Sequence, residues 1–130
     1  MSSAIVWNDH ITLEPAPASV RQARQFVAQR LRDHALPDLV DDVGLVASEL
    51  TTNAVRYAQA PVTVRLEGSD ADLRLIVSDD SALNPVECHP SVWDTGGRGL
   101  GIVASVSKEW GVSDGRSAAK SVWASFAVLS

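Results

Sequence analysis

Glu49-Leu50-Thr51-Thr52-Asn53-Ala54-Val55-Arg56-Tyr57-Ala58 is the stretch on which the fold prediction depends. Each residue of an α-helix turns by about 100°, so Glu49, Asn53 and Arg56 fall within roughly 60° of one another. A broader neighbouring face is apolar, as in a helix packed on a sheet, and it contains Val43, Val46, Leu50, Ala54 and Tyr57. The polar stripe therefore lies at the border of the core.

Two interpretations of this stripe remain open from the helix alone. At the border of a core a carboxylate is desolvated enough to act as a base, and an amide oxygen can bind a metal ion. Alternatively, Glu49 and Asn53 cap loops or face solvent, and Arg56 is a solvated surface arginine. Other motifs of the chain are needed to distinguish these two interpretations.

The composition favours a single soluble domain spanning residues 1–130. A chain of 130 residues buries roughly two-thirds of its unfolded surface on folding. With 11 basic and 16 acidic residues the net charge is −5, so we expect neither nucleic acid nor an anionic membrane as a partner. The single cysteine, Cys88, excludes an internal disulfide and, with three scattered histidines, argues against a structural zinc site. No apolar run is long enough to span a membrane and no export signal is visible, so we expect a cytoplasmic protein.

Helical periodicity predicts two helices in the first half of the chain. The first extends from a capping box formed by Ser19 and Gln22 to about His34, and the second from about Leu39 to Ala58. Pro37 and Asp38 are suited to the turn that begins the second helix.

Alternating apolar residues predict strands elsewhere. One or two short strands lie within residues 4–13, a hairpin occupies 62–67 and 73–79, and a second hairpin occupies 110–112 and 120–129. A short helix is expected from Ile102 to Lys108. The resulting order predicts an α+β fold, a two-layer sandwich in which helices cover a mostly antiparallel sheet.

Two further segments could contribute to a site at one end of this sandwich. Asp79 and Asp80 follow a buried strand, and a carboxylate there can accept N–H donors such as an exocyclic amine, or simply begin a turn. Gly96 to Gly101 leads into a helix, where free backbone N–H groups favour phosphate. The glycine spacing matches neither a P-loop nor a dinucleotide fingerprint.

In this order, the three segments resemble those of the histidine-kinase-like (GHKL) ATPase superfamily, particularly its short bacterial anti-sigma-factor branch. The residues from Glu49 to Ala54 look like the N box, Val77 to Asp79 like the adenine-binding box, and Gly97 to Gly101 like the second glycine box. The segment from Lys120 to Ala124 is similar to the closing strand of that branch. The resemblance covers residues 20–126 and implies a Bergerat-type fold, with a mixed, mainly antiparallel sheet and about three helices on one face.

The resemblance also implies a role for each site residue. Glu49 would be the general base, Asn53 would hold Mg2+ at the phosphates of ATP, and Asp79 would bind the adenine amino group. The phosphates would contact the glycine box and the residue at the start of the closing strand, which are Gly97, Arg98, Gly99, Leu100, Gly101 and Lys120. Residues 81–95 would form a lid over the nucleotide.

Two departures from the family pattern make turnover less secure than binding. Ser81 stands where a glycine commonly follows the adenine aspartate, and Ala119-Lys120 stands where Gly-Thr often contacts phosphate. The leading hypothesis is a Mg2+-dependent serine/threonine protein kinase that binds a sigma factor and phosphorylates an anti-sigma-factor antagonist. The alternatives are a nucleotide-responsive binding module without turnover and a scaffold that has lost nucleotide binding. A homodimer is a further expectation from the resemblance.

Overall fold

The computed structural model describes residues 6–57, 61–79, 98–114 and 120–128, which form an α+β fold. Their elements, in chain order, are β1 (Trp7–Leu13), α1 (Ala18–Asp33), a 3-10 turn (Pro37–Leu39), α2 (Val40–Tyr57), β2 (Val62–Gly68), β3 (Asp72–Asp79), α3 (Arg98–Val106), β4 (Glu109–Asp114) and β5 (Lys120–Ala127). The predicted order of strand, two helices, hairpin, short helix and hairpin is confirmed.

The described strands form one five-stranded sheet in the order β1-β2-β3-β5-β4. All four pairings in it are antiparallel. Both predicted hairpins pair directly, and β5 of the second inserts next to β3 of the first. This insertion makes β3 a central strand and leaves β1 and β4 at the two edges.

The core lies between the helices and one face of this sheet. Along β2 the burial alternates at every residue, with Val62, Val64 and Leu66 fully buried. The helices supply the opposite layer of fully or almost fully buried side chains, which includes Ala23, Val27, Leu31, Val43, Val46, Leu50, Ala54 and Val103. Because the intervening residues of β2 are only part-buried, the helices lie on one side of the sheet, as the fold prediction requires.

The first helix begins two residues earlier than the capping box on Ser19 predicted, and it begins without that capping box. Pro17 is the N-cap residue, and no side chain bonds to a free N–H there. Ser19 is buried inside the first turn, and its hydroxyl donates to the backbone oxygen of Glu14. Pro17 has a φ of −55° and a ψ of −34°, so its fixed ring geometry leads directly into the first helical turn.

The glycine box also differs from its predicted form, because α3 begins at Arg98 instead of Ile102. The prediction placed Gly99 and Gly101 in a loop, since glycine is a poor helix former. In the structure both lie in the first turn and a half of the helix. Because glycine has no Cβ, the free N–H groups of this turn stay open to a ligand.

A stacked pair of side chains joins the end of α1 to the edge strand β1. The rings of Trp7 and His34 lie 3.6 Å apart with an interplanar angle of 6°. His34 Nε2 also lies 3.2 Å from a carboxylate oxygen of Asp9. The indole packs directly over Gly68 on the neighbouring strand, where a Cβ atom would come within 2.2 Å of the ring. Glycine at this position therefore allows the stack to form.

We expect Gly68→Ala to lower the free energy of unfolding by about 1–3 kcal/mol, because the added methyl group must displace Trp7 from its stack on His34. Chemical denaturation measures the loss. Gly44→Ala is the matched control, because a Cβ there meets no atom within 4 Å and alanine is the better helix former. Equal stability of Gly68→Ala and the unchanged protein would contradict the close packing.

Candidate functional site

Helix α2 places the polar stripe of Glu49, Asn53 and Arg56 at the border of the core. Asn53 is 7% exposed, Glu49 is part-buried and Arg56 is exposed. Next to the stripe, Leu50 and Ala54 are fully or almost fully buried. The stripe therefore runs outwards from the core, and a side-chain amide in this position is shielded from most bulk water.

The Asn53 side chain is the most deeply buried of the polar stripe, at 7% exposure. Its oxygen is the kind of hard ligand that Mg2+ prefers. Among the described residues no group of three or more His, Cys, Asp or Glu side chains is arranged to hold a metal ion. A magnesium ion held by one amide oxygen and by phosphate oxygens needs no such group, so Asn53 fits the predicted role.

Thr51 is a polar residue of α2 that the sequence analysis did not assign. It is fully buried, and its Oγ1 has no hydrogen-bond partner in the part of the chain that the structure describes. A hydroxyl left unpaired in a protein interior destabilises the folded state unless water or a ligand satisfies it. Its position between Leu50 and Asn53 on a helix packed against a sheet was the available signal, and it adds Thr51 to the candidate residues.

The sheet brings Asp79 and Lys120 together at the same end. Asp79 is the last residue of β3, and its Cα pairs with Val62 of β2 on one side and Lys120 of β5 on the other. Helix α2 ends at Tyr57, five residues before Val62, so these two Cα atoms are separated by at most about 18 Å. Asn53 lies one helical turn before Tyr57. Chain connectivity and strand register thus place three predicted site segments at one end of the sandwich.

The start of α3 supplies backbone donors of the kind predicted for phosphate binding. Arg98, Gly99 and Leu100 are its first three residues, and N–H groups at a helix start have no partner within the helix. The helix dipole adds a partial positive charge there. Gly101 is exposed, and a Cβ added to it would meet no atom within 4 Å. Packing within the described chain therefore does not require glycine at position 101.

Part of the predicted site lies outside the described residues. These parts are Gly97 of the glycine box, the predicted lid over residues 81–95 with Ser81, and Ala119 of the Ala119-Lys120 departure. For Asp79 and Lys120 the placement rests on the backbone register alone. The fold positions the remaining parts of the predicted site, which are Glu49, Asn53, Asp79, Lys120 and the start of α3.

Glu49 also borders an open groove between α1 and α2 of about 1100 Å3. The α1 side carries Arg21, Arg24 and Arg32, none of which has a carboxylate within 4.0 Å among the described residues. The α2 side includes Leu45, which is 41% exposed, and Ser48. This groove was not predicted from the sequence, although the three arginines fall within about 80° on a helix and could have been recognised by that spacing.

Among the described residues, no helix combines the length and the mean hydropathy that crossing a membrane requires.

Comparison with known proteins gives one family match and a similarity of fold. The model of a family described as "Histidine kinase-like ATPase domain" matches residues 13–126. A chain in the crystal structure of the SiaB-SiaC complex from Pseudomonas aeruginosa has a similar fold, with a TM-score of 0.56 and 15% sequence identity. The alignment covers 95% of this chain and 91% of that one. No curated protein matches the sequence.

We expect Gly101→Ala to lower the affinity for a phosphate-bearing ligand by about tenfold or more, because the added methyl group would occupy space beside the donors of α3. Calorimetric titration with ATP and Mg2+ measures the change. The control is Gly44→Ala, which makes the same substitution in α2, also without a steric conflict. If both variants bind ATP like the unchanged protein, the start of α3 does not hold the phosphates.

Proposed function

Because the chain belongs to the histidine kinase-like ATPase family, we propose that it is an ATP-dependent, anti-sigma-factor-type protein kinase. Membership of this family implies that the domain binds ATP. The proposal adds Mg2+, transfer of the γ-phosphoryl group to a serine or threonine of a partner protein, and a role in transcription regulation. The observation that carries it is that α2 holds a shielded amide, Asn53, one helical turn after a part-buried carboxylate, Glu49. The carboxylate also borders an open groove.

In this proposal, some residues of the site bind the nucleotide and one accepts a proton. Asp79 would accept a hydrogen bond from the adenine amino group. The N–H groups of Arg98, Gly99, Leu100 and Gly101, with Gly97, would hold the phosphates, and Lys120 would contribute a positive charge beside Asp79. The Asn53 amide oxygen would hold Mg2+, which neutralises charge that develops on the phosphates.

Glu49 would act on the hydroxyl group of the partner. As the hydroxyl oxygen forms its bond to the γ-phosphorus, the bond between that phosphorus and the β,γ-bridging oxygen breaks, and ADP leaves with the electron pair. The hydroxyl proton passes to the Glu49 carboxylate. A carboxylate at the border of the core suits this task, because it faces an opening that a protein hydroxyl can reach and keeps part of its surface away from water.

The groove beside Glu49 supports a protein partner. Its three arginines outnumber the two carboxylates in its lining, Asp41 and Glu49, and favour an acidic segment, while the exposed Leu45 offers apolar contact. The protein of similar fold was crystallised in a two-protein complex, which is consistent with this mode of action. We propose an anti-sigma-factor antagonist as the phosphorylated partner and a sigma factor as the regulated one. Homodimerisation stays a prediction.

A nucleotide-responsive binding module without turnover is the second candidate. It is favoured by Lys120, which stands in register with Asp79 where the family pattern often has threonine. A lysine there can bind a phosphate as a point charge but cannot reproduce a hydroxyl contact. Calorimetry with ATP and Mg2+, followed by pull-down with and without ATP and phosphosite mapping, separates the candidates. Binding without transfer supports the module. If millimolar ATP does not bind and Asp79→Asn changes nothing, the chain is a scaffold without nucleotide.

We expect Glu49→Gln to lower phosphotransfer to a captured partner by about 10²- to 10⁴-fold while leaving ATP affinity nearly unchanged, because only the proton acceptor is lost. Transfer is measured with labelled ATP in single-turnover conditions. Glu67→Gln, on strand β2, is the matched control. Undiminished transfer by Glu49→Gln would exclude Glu49 as the base.

We expect Arg21→Glu combined with Arg24→Glu to weaken partner binding by about tenfold or more and to leave ATP affinity unchanged, because the reversed charges repel an acidic segment. Fluorescence anisotropy with the captured partner measures the affinity at two salt concentrations. The control is Arg65→Glu combined with Arg74→Glu, on β2 and β3 of the sheet. Equal weakening by both double variants would show a general charge effect in place of docking in the groove.

A further inference from the structure

A second concave site lies at the opposite end of the sheet from Asp79. It is a cavity of about 470 Å3 between the turn that joins α1 to α2, the end of α3 and the end of β5. Along β3 and β5 the register runs from the pair Asp79 and Lys120 to the pair Asp72 and Ala127. Eight residues of strand span about 23 Å, so the cavity is separate from the candidate nucleotide site.

The wall of this cavity is mainly apolar. The side chains that line it include Leu36, Leu39, Val106, Phe126 and Val128, and all five contribute to the core or pack against it. Four of them are only part-buried, so apolar surface stays accessible from the cavity. A volume of this size and an apolar wall are typical of sites for small organic molecules. Binding of an apolar group there would be favourable because it removes apolar surface from water.

The rim of the cavity carries an excess of negative charge. Asp38 and Asp42 are both exposed, and neither has an ion-pair or hydrogen-bond partner among the described residues. Lys108 on the opposite side binds Asp72 through a 3.0 Å contact. That hydrogen bond and the charge of Asp72 raise the pKa of Lys108. The ammonium group of Lys108 is thus already paired with Asp72. Among the described residues, Asp38 and Asp42 are the charged groups of the rim that have no partner.

We propose that this cavity binds a small organic cation, a molecule with an apolar body and an ammonium or similar positive head group. The apolar body contacts Leu36, Val106 and Phe126, and the head group lies near Asp38 and Asp42. An anion of the same shape meets repulsion from both aspartates, and an uncharged analogue has only the apolar contacts. This inference does not depend on the proposed kinase function.

The position of the cavity connects it to the candidate nucleotide site through two helices. Helix α2 begins at this end with Val40, Asp41 and Asp42 and carries Glu49 and Asn53 further along. Helix α3 has its predicted phosphate-binding start at one end and Val106 in the cavity wall at the other. A ligand in the cavity therefore contacts two elements that also form the nucleotide site.

Three probes with the same body test the proposal: 4-phenylbutylammonium, 4-phenylbutan-1-ol and 4-phenylbutyrate. Binding to the full chain is followed by amide chemical shifts in nuclear magnetic resonance at low salt. We expect saturable shifts at Leu36, Val106, Ser107 and Val128, with a dissociation constant for the cation about fivefold below that of the alcohol, and the weakest binding for the carboxylate. Equal affinities, shifts centred elsewhere, or no binding up to the solubility limit would overturn the proposal.

Variants on the exposed rim make the test independent of folding. Asp38→Asn combined with Asp42→Asn should remove the preference for the cation and keep the binding of the alcohol. Asp41→Asn is the matched control, because Asp41 lies in the same turn of α2 as Asp42 but lines the groove between α1 and α2. This variant should retain the full preference for the cation. Loss of the preference in the control, or its survival in the double variant, contradicts the assignment. Asn53→Ala should bind all three probes normally even if it no longer binds ATP, which separates this inference from the proposed function.

Discussion

The packing of α2 against the sheet is the constraint on which the rest of the structure depends. Its apolar face buries Val43, Val46, Leu50 and Ala54 completely or almost completely, and this burial fixes the rotation of the helix about its axis. Once the rotation is fixed, the helical period determines that Asn53 lies at the border of the core and Glu49 beside the groove. The position of these candidate site residues and the packing of the core therefore depend on the same helix.

The antiparallel register has a second consequence, because it gives the sandwich two distinct ends. At one end β3 finishes and β5 starts, so Asp79 and Lys120 meet near the connection from α2 to β2. At the other end β3 starts and β5 finishes, beside the turn between α1 and α2 and the cavity. The helices α2 and α3 extend between these ends, so each contributes to both.

Several features followed from local sequence alone. The apolar periodicity of residues 39–58 and the alternation in both hairpins are strong signals, and the structure places α2 at Val40–Tyr57 and both hairpins as predicted. The boundary errors occurred where local rules compete. Ser19 has the spacing of a cap, yet Pro17 is the N-cap residue, and the glycines of α3 disfavour a helix that nevertheless forms. Helix ends are the positions at which such local rules are least decisive.

The sequence by itself determined the α+β class, the order of the elements and the residues of the polar stripe, because these depend on periodicities of 3.6 and 2 along the chain. Only the tertiary structure decided that β5 lies beside β3, that Arg21, Arg24 and Arg32 face Glu49 across a groove, and that a cavity forms behind Leu36. The physical reason is that such neighbours are far apart in sequence. They meet through the packing of whole elements, which no local pattern encodes.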